Sequence, residues 1–213
     1  MAVRKKRLLI GMSGASGAPI TVELLKKLRK IDTVESHLIV TRGARLTLEQ
    51  ETDLTPKELA DLADVCYGNE DIGVAPASGS FRFEGMVIVP CSMKTVAGIA
   101  SGYSDNLLLR AADVTIKEGR KMVLVARESP LSTIHLKNLY ELSQMGIMIM
   151  PPMLTYYRRP VTLEECTGYV AERILGQFGL CEDTAFLRGI WKLYIFSISL
   201  DFFVSYRYNI YIV

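Results

Sequence analysis

The 213-residue sequence is short of the residues that staple or metallate a small fold, with four cysteines and two histidines in all. Cys66, Cys91, Cys166 and Cys181 stand far apart and form no Cys-x-x-Cys pair. That spacing excludes a zinc ribbon and a disulfide frame, and it predicts reduced thiols in the cytoplasm. Charge of one sign is also missing: 25 Lys+Arg against 23 Asp+Glu leave a net charge of +2, with the two signs interspersed. No basic block exists to contact nucleic acid. The Gly-x-Gly-x-x-Gly dinucleotide fingerprint and the Gly-Lys-Ser/Thr of a Walker loop are both absent. Arg4, Lys5, Lys6 and Arg7 precede only a short apolar run broken by glycine and serine, which reads as a first strand and not a signal peptide. The long apolar stretch 193–213 carries Asp201, Arg207 and many Tyr, Ser and Asn residues, so no membrane span is predicted there. It reads as a hydrophobic tail following a domain over 1–192.

What is present is a large apolar complement, 49% of the residues, enough for one domain with a substantial core. The chain is organised around Leu8-Leu9-Ile10-Gly11-Met12-Ser13-Gly14-Ala15-Ser16-Gly17-Ala18-Pro19. An apolar run ends in a small-residue turn and an amphipathic segment follows. This is a strand feeding a helix through a tight loop, whose free N–H groups suit a phosphate-bearing ligand. Ser13 and Ser16 add hydroxyls that can cap the helix or reach that ligand.

The rest alternates in the same way. Strands are predicted at 7–12, 36–41, 85–90, 121–126 and 146–150, and helices at 18–30, 43–51, 55–65, 106–118, 132–143 and 162–178. A further small-residue helix follows Cys91-Ser92-Met93-Lys94-Thr95, residues 67–82 read as loop, and Thr162-Leu163-Glu164-Glu165 reads as a capping box. Strands alternating with helices predict an α/β fold with a doubly wound, mostly parallel sheet in a single domain. Ligands of such sheets lie beyond the carboxyl ends of the strands. Those ends carry residues 14–16, Thr41, residues 92–95, the Arg127-Glu128 pair and the 151–157 loop, while Arg110 and Lys117 share one helix face. Each alone has an ordinary reading as cap or solvated charge; together they make a site. His37, inside a strand, reads as structural, and neither histidine has a triad partner nearby.

Taken in order, Gly11-Met12-Ser13-Gly14-Ala15-Ser16-Gly17-Ala18, Glu51-Thr52, Ala77-Ser78-Gly79-Ser80, Pro90-Cys91-Ser92-Met93-Lys94-Thr95, Asn106-Leu107, Arg110-Ala111-Ala112-Asp113-Val114, Lys117-Glu118, the run from Arg127-Glu128 to His135-Leu136, and Pro151-Pro152 resemble the UbiX/Pad1 flavin prenyltransferases over residues 7–192. Ser80-Phe81-Arg82 and the Cys91 turn resemble the branch of that family that accompanies hydroxyarylic (phenolic) acid decarboxylases. The resemblance implies a flavodoxin-like, Rossmann-like fold, a homododecamer, no metal, and transfer of a dimethylallyl group from dimethylallyl phosphate to reduced FMN. The product, prenylated FMN, would serve a UbiD-type decarboxylase.

Carried over by position, the resemblance implies that Gly14, Ala15, Ser16, Thr41, Ser92, Met93, Lys94, Thr95 and Arg127 hold FMN. Lys117, Arg127, Glu128, Tyr157 and Arg173 would surround the prenyl phosphate, with Arg110 nearby. Ser16, Glu51, Lys117 and Glu128 would take part in catalysis, Glu51 and Ser16 near flavin N5 and Glu128 trading a proton. Thr41 stands where many relatives have serine and keeps the hydroxyl. Two other readings stay open: a non-catalytic FMN-binding subunit of a decarboxylase, and a flavin-dependent cysteine decarboxylase. The second would need a Pro-x-Met-Asn-x-x-Met-Trp motif, which the sequence lacks.

Overall fold

Six parallel strands form one sheet in the order β3-β2-β1-β4-β5-β6 in a computed structural model that describes residues 5–180. The expectations for Cys181, for the tail 193–213 and for a boundary at 192 lie outside the described residues. β1 (Lys6–Met12) pairs with β2 (Val34–Val40) on one side and β4 (Gly85–Cys91) on the other. The chain therefore leaves β1 toward β2 and β3 (Val65–Gly68), then returns to build β4, β5 (Lys121–Ala126) and β6 (Met148–Ile149) on the far side. Loops leaving β1 and β4 diverge at this reversal and open a crevice, the usual ligand position of a doubly wound sheet.

All seven residues of β4 are buried, as expected of a strand covered on both faces. On one face Leu9, Ile39, Met86, Ile88 and Leu124 pack against α4 (Met93–Ala100) and α5 (Leu107–Lys117) through Val96, Ile99, Leu108 and Ala111, and against Leu142 of α6 (Thr133–Gln144). On the other, α1 (Ala18–Leu28) buries Leu24, Leu25 and Leu28 and packs against α7 (Leu163–Gln177), to which the Lys27–Glu172 pair ties it at 3.1 Å. At about 25 cal/mol per Å², each fully buried leucine here adds roughly 2 kcal/mol to stability.

Two sequence expectations change. The helical stretch 55–65 is α3 (Pro56–Ala60) only, closed by a capping box between Thr55 and Glu58. Residues 65–68, read as the end of that helix and the start of a loop, are β3. The reason is tertiary: Asp64 accepts from the Ser36 N–H at 2.7 Å and the Ser36 hydroxyl at 2.8 Å, and this delivers Val65 to the free edge of β2. At α7 the Thr162 hydroxyl does accept from the Glu165 N–H. The Glu165 carboxylate, however, reaches back to the Val161 N–H at 2.8 Å, one residue before the cap. α2 (Arg42–Glu51) matches its expected range closely.

Candidate functional site

Three connections shape the crevice. Ser13, at the end of β1, is buried; its hydroxyl donates to the Pro90 carbonyl at 3.0 Å and accepts from the Ser92 N–H at 2.7 Å. It is a latch between the loops after β1 and β4, not a helix cap. Gly14 then passes against Gly43 so closely that a Cβ on Gly14 would lie 3.0 Å from the Gly43 Cα and carbonyl carbon. This brings the first turn of α2 against the β1 loop, a backbone approach that a side chain on either glycine would crowd. Gly17, with φ 124, caps α1 without a side-chain bond. The cap arrives from elsewhere: Glu51 Oε2 accepts from the Gly17 and Ala18 N–H groups, each at 2.8 Å. A carboxylate at a helix N-terminus is favoured by the helix dipole. Ser16, next in the chain to Gly17, is exposed.

The resulting cleft has a volume of about 1010 Å³ and is lined by Ser13, Gly14, Thr41, Ser92, Lys94 and Thr95 among others. Thr41 caps α2 by accepting from the Ala44 N–H, and Ser92 caps α4 by accepting from the Thr95 N–H. Both helices thus begin at the cleft, where their uncapped first-turn N–H groups suit an anion. The Met93 side chain packs in the core, so its contribution to a ligand is its backbone N–H; Lys94 is exposed. Ala15 is buried under the loop, its N–H closing onto the Ser13 carbonyl at 3.0 Å. Arg127 follows β5 at the same edge, held beside Ser92 by its N–H donating to the Cys91 carbonyl at 3.1 Å. Next to it Glu128 is exposed and its Oε1 accepts from the Ser129 N–H at 3.0 Å.

Tyr157 and Arg173 meet in a second hollow of about 500 Å³ formed by the 150–157 segment and α7. The Tyr157 and Tyr169 hydroxyls are 3.1 Å apart, and Arg173 donates to Tyr169 at 3.3 Å. The bond to Tyr169 raises the Tyr157 pKa. At Tyr169 burial acts upward, but the Tyr157 hydrogen bond and the two cations Arg173 and Arg158 prevail and hold it below its ordinary value of 10.0.

Arg110 and Lys117 lie elsewhere, about two turns apart on α5. Arg110 Nε donates to the Ala77 carbonyl at 3.2 Å, and Lys117 pairs with Glu118 at 2.8 Å beside Gly79. Lys117 ends α5 just before β5 begins, whereas Arg127 and Glu128 follow its last residue. Six strand residues at ~3.3 Å each separate the two groups by about 20 Å. One chain does not gather Lys117 and Glu128 around a single phosphate.

Sequence reading missed Ser13 as a latch, Gly43 as the facing glycine, and Asn69. Asn69 is buried and caps α5 from a distance: its carbonyl accepts from the Leu107 N–H and its Oδ1 from the Leu108 N–H. The Gly-Asn pair after β3 signals a turn, but nothing local reveals a contact 39 residues away.

Residues 2–173 match the Flavoprotein family. A probable UbiX-like flavin prenyltransferase of Streptomyces sp. (strain D7) is 53% identical over 174 residues, covering 82% of this chain and 87% of that protein. The chain belongs to the UbiX-like flavin prenyltransferases. Two solved structures of this family share its fold. The dodecameric FMN-dependent UbiX-like decarboxylase from Escherichia coli O157:H7 has a TM-score of 0.81 at 50% identity, covering 82% of this chain and 95% of its own. AnUbiX (PadA1), in complex with FMN and dimethylallyl pyrophosphate, has a TM-score of 0.81 at 42% identity, covering 83% and 94%. The UbiX-like cleft here suits FMN on its own terms. Its volume fits a drug-sized ligand, helices α2 and α4 begin at it with N-termini suited to a phosphate, and Gly14 and Gly43 line it where they meet.

Proposed function

We propose that this protein transfers a dimethylallyl group from dimethylallyl phosphate to reduced FMN, as part of a homododecamer, and supplies prenylated FMN to a UbiD-type decarboxylase in the cytoplasm. The observation that carries the reading is the cleft itself: two capped helix N-termini and Lys94 line it, Glu51 holds the loop after β1 through the Gly17 N–H, and Arg127 is tied by its N–H to the Cys91 carbonyl next to Ser92. FMN, when bound in reduced form, supplies the nucleophilic ring position near N5. Gly14, Ala15, Ser16, Thr41, Ser92, Met93, Lys94, Thr95 and Arg127 hold it.

The donor's C–O bond breaks with its electron pair passing to the phosphate, and fixed cations favour that charge as it accumulates. Lys117, Arg127 and Arg173 serve this role, with Arg110, two turns before Lys117 on α5, near the same phosphate. Tyr157 donates to the phosphate oxygens. Glu128 trades a proton with the phosphate or the alkylated ring, and Glu51 with Ser16 orients and relays at N5. The ~20 Å between Lys117 and Glu128 in one chain favours a site completed by a neighbouring protomer. The dodecameric E. coli relative supports such an assembly.

The test is anaerobic incubation with reduced FMN and dimethylallyl phosphate, followed by mass spectrometry of the released flavin. A gain of one isoprenyl unit is expected. Tightly bound but unmodified FMN would overturn the transferase reading.

A further inference from the structure

Between β3 and β4, after a single helical turn at Ala75–Ala77, the stretch Ser78-Gly79-Ser80-Phe81 belongs to no helix or strand. Its anchor is Arg120, in the turn between α5 and β5. One guanidinium nitrogen donates to the Phe81 carbonyl at 2.9 Å and the other to the Gly79 carbonyl at 2.7 Å. The guanidinium carbon sits 4.3 Å over the Phe83 ring, and the side chain is only 14% exposed. Phe81 itself is seated beneath Arg7, whose guanidinium carbon lies 4.8 Å from the ring centroid, and edge-on to His37. The loop is thus gripped from below at both carbonyls, with the exposed Ser78 and Ser80 hydroxyls 2.9 Å apart at its tip.

Gly79 lies against the pair formed by Lys117 and Glu118. A Cβ there would fall 2.2 Å from Glu118 Oε1 and 3.1 Å from Lys117 Nζ. Glu118 is shared, 2.8 Å from Lys117 and 3.8 Å from Arg120. A phosphate reaching Lys117 can therefore displace the carboxylate toward Arg120 without leaving it unpaired. Arg110, which donates to the Ala77 carbonyl, closes the other end of the same loop.

We infer that Arg120 is a positioning residue for prenyl donor binding: it fixes the Ser78–Ser80 hydroxyls beside Lys117 and offers Glu118 a second cation when the phosphate arrives. The inference rests on the proposed role of Lys117 at the prenyl phosphate. Lysine's single ammonium offers neither the two separate nitrogens that reach the Phe81 and Gly79 carbonyls nor the planar face that lies over Phe83, so it does not substitute.

The experiment compares Arg120→Gln, Arg120→Lys, Gly79→Ala and Lys117→Ala. It follows prenylated flavin formation anaerobically at a temperature well below each variant's melting point, and FMN affinity separately. Both Arg120 variants are expected to raise KM for dimethylallyl phosphate about tenfold with a smaller change in kcat, because the loop holds the phosphate before and during transfer alike. FMN affinity stays that of the parent, which a general loosening of the fold would not allow. Should Arg120→Gln fail to fold, Gly79→Ala reads the same contact, since its methyl pushes the Glu118 carboxylate off Lys117. A KM unchanged in folded Arg120 variants while Lys117→Ala raises it overturns the inference alone. A KM unchanged in Lys117→Ala overturns the role of Lys117 and the inference with it. KM and FMN affinity worsening in parallel reduce Arg120 to a structural residue.

Discussion

Ser13→Ala tests the latch that joins the two halves of the crevice. The hydroxyl makes two bonds across the β1 and β4 loops, donating to the Pro90 carbonyl and accepting from the Ser92 N–H. Alanine removes both. The Pro90 carbonyl keeps the Ser13 backbone N–H at 3.1 Å, so it loses only one of two donors, about 0.5–1 kcal/mol. The Ser92 N–H is left without an acceptor in a partly buried turn, about 1–2 kcal/mol more. The sum, about 1.5–3 kcal/mol, corresponds to a melting temperature lower by roughly 3–12 °C for a domain of this size. Ser92 also caps α4, so FMN affinity falls with the stability. The assay is denaturant unfolding at unchanged m-value, with flavin fluorescence titration beside it. A stability loss under about 0.5 kcal/mol, or intact FMN affinity in a destabilised protein, would refute the coupling of latch and cleft.

Gly14→Val should abolish FMN binding while the chain still folds, since its branched side chain must intrude into the cleft or push the Gly43 backbone away; retained parental affinity in a flavin titration would contradict the cradle. Glu128→Gln keeps the shape and the Ser129 contact but removes the exchangeable carboxylate, so prenylation should slow about 100-fold or more with FMN binding unchanged, measured by single-turnover mass spectrometry. His37 is buried with Nδ1 on the Tyr67 hydroxyl at 2.8 Å and Nε2 without a hydrogen bond; burial lowers its pKa below 6.5, Glu35 opposing and Arg7 assisting. As pH falls through about 6.5 the unfolded chain takes up the proton first, so stability declines on acidification. In denaturant midpoints between about pH 7.5 and 5.5 this slope should flatten in His37→Gln, and equal slopes in both proteins would remove His37 as the cause.

Apart from β3, the order of elements, the doubly wound sheet and the crevice at its carboxyl edge were legible in the sequence, because they follow from local chemistry. The apolar run 85–90 matches a strand buried on both faces, and Ser132 marks a helix start through a bond three residues long. Resemblance through motifs in continuous order was enough to indicate the family. Tertiary structure decided what depends on pairs distant in the chain. β3 exists because Ser36 turns Asp64 onto the sheet edge, and no periodicity in four residues announces that. Glu51, 33 residues from Ala18, became the cap of α1 in place of the nearby serines. Lys117 and Glu128 sit only 11 positions apart, yet they are held at opposite ends of β5 because a crossover helix and its strand run in opposite directions. Sequence assigns which residues are capable of the chemistry; which of them meet is set by strand register and helix direction, since those fix side-chain positions over tens of ångströms that local propensity does not reach.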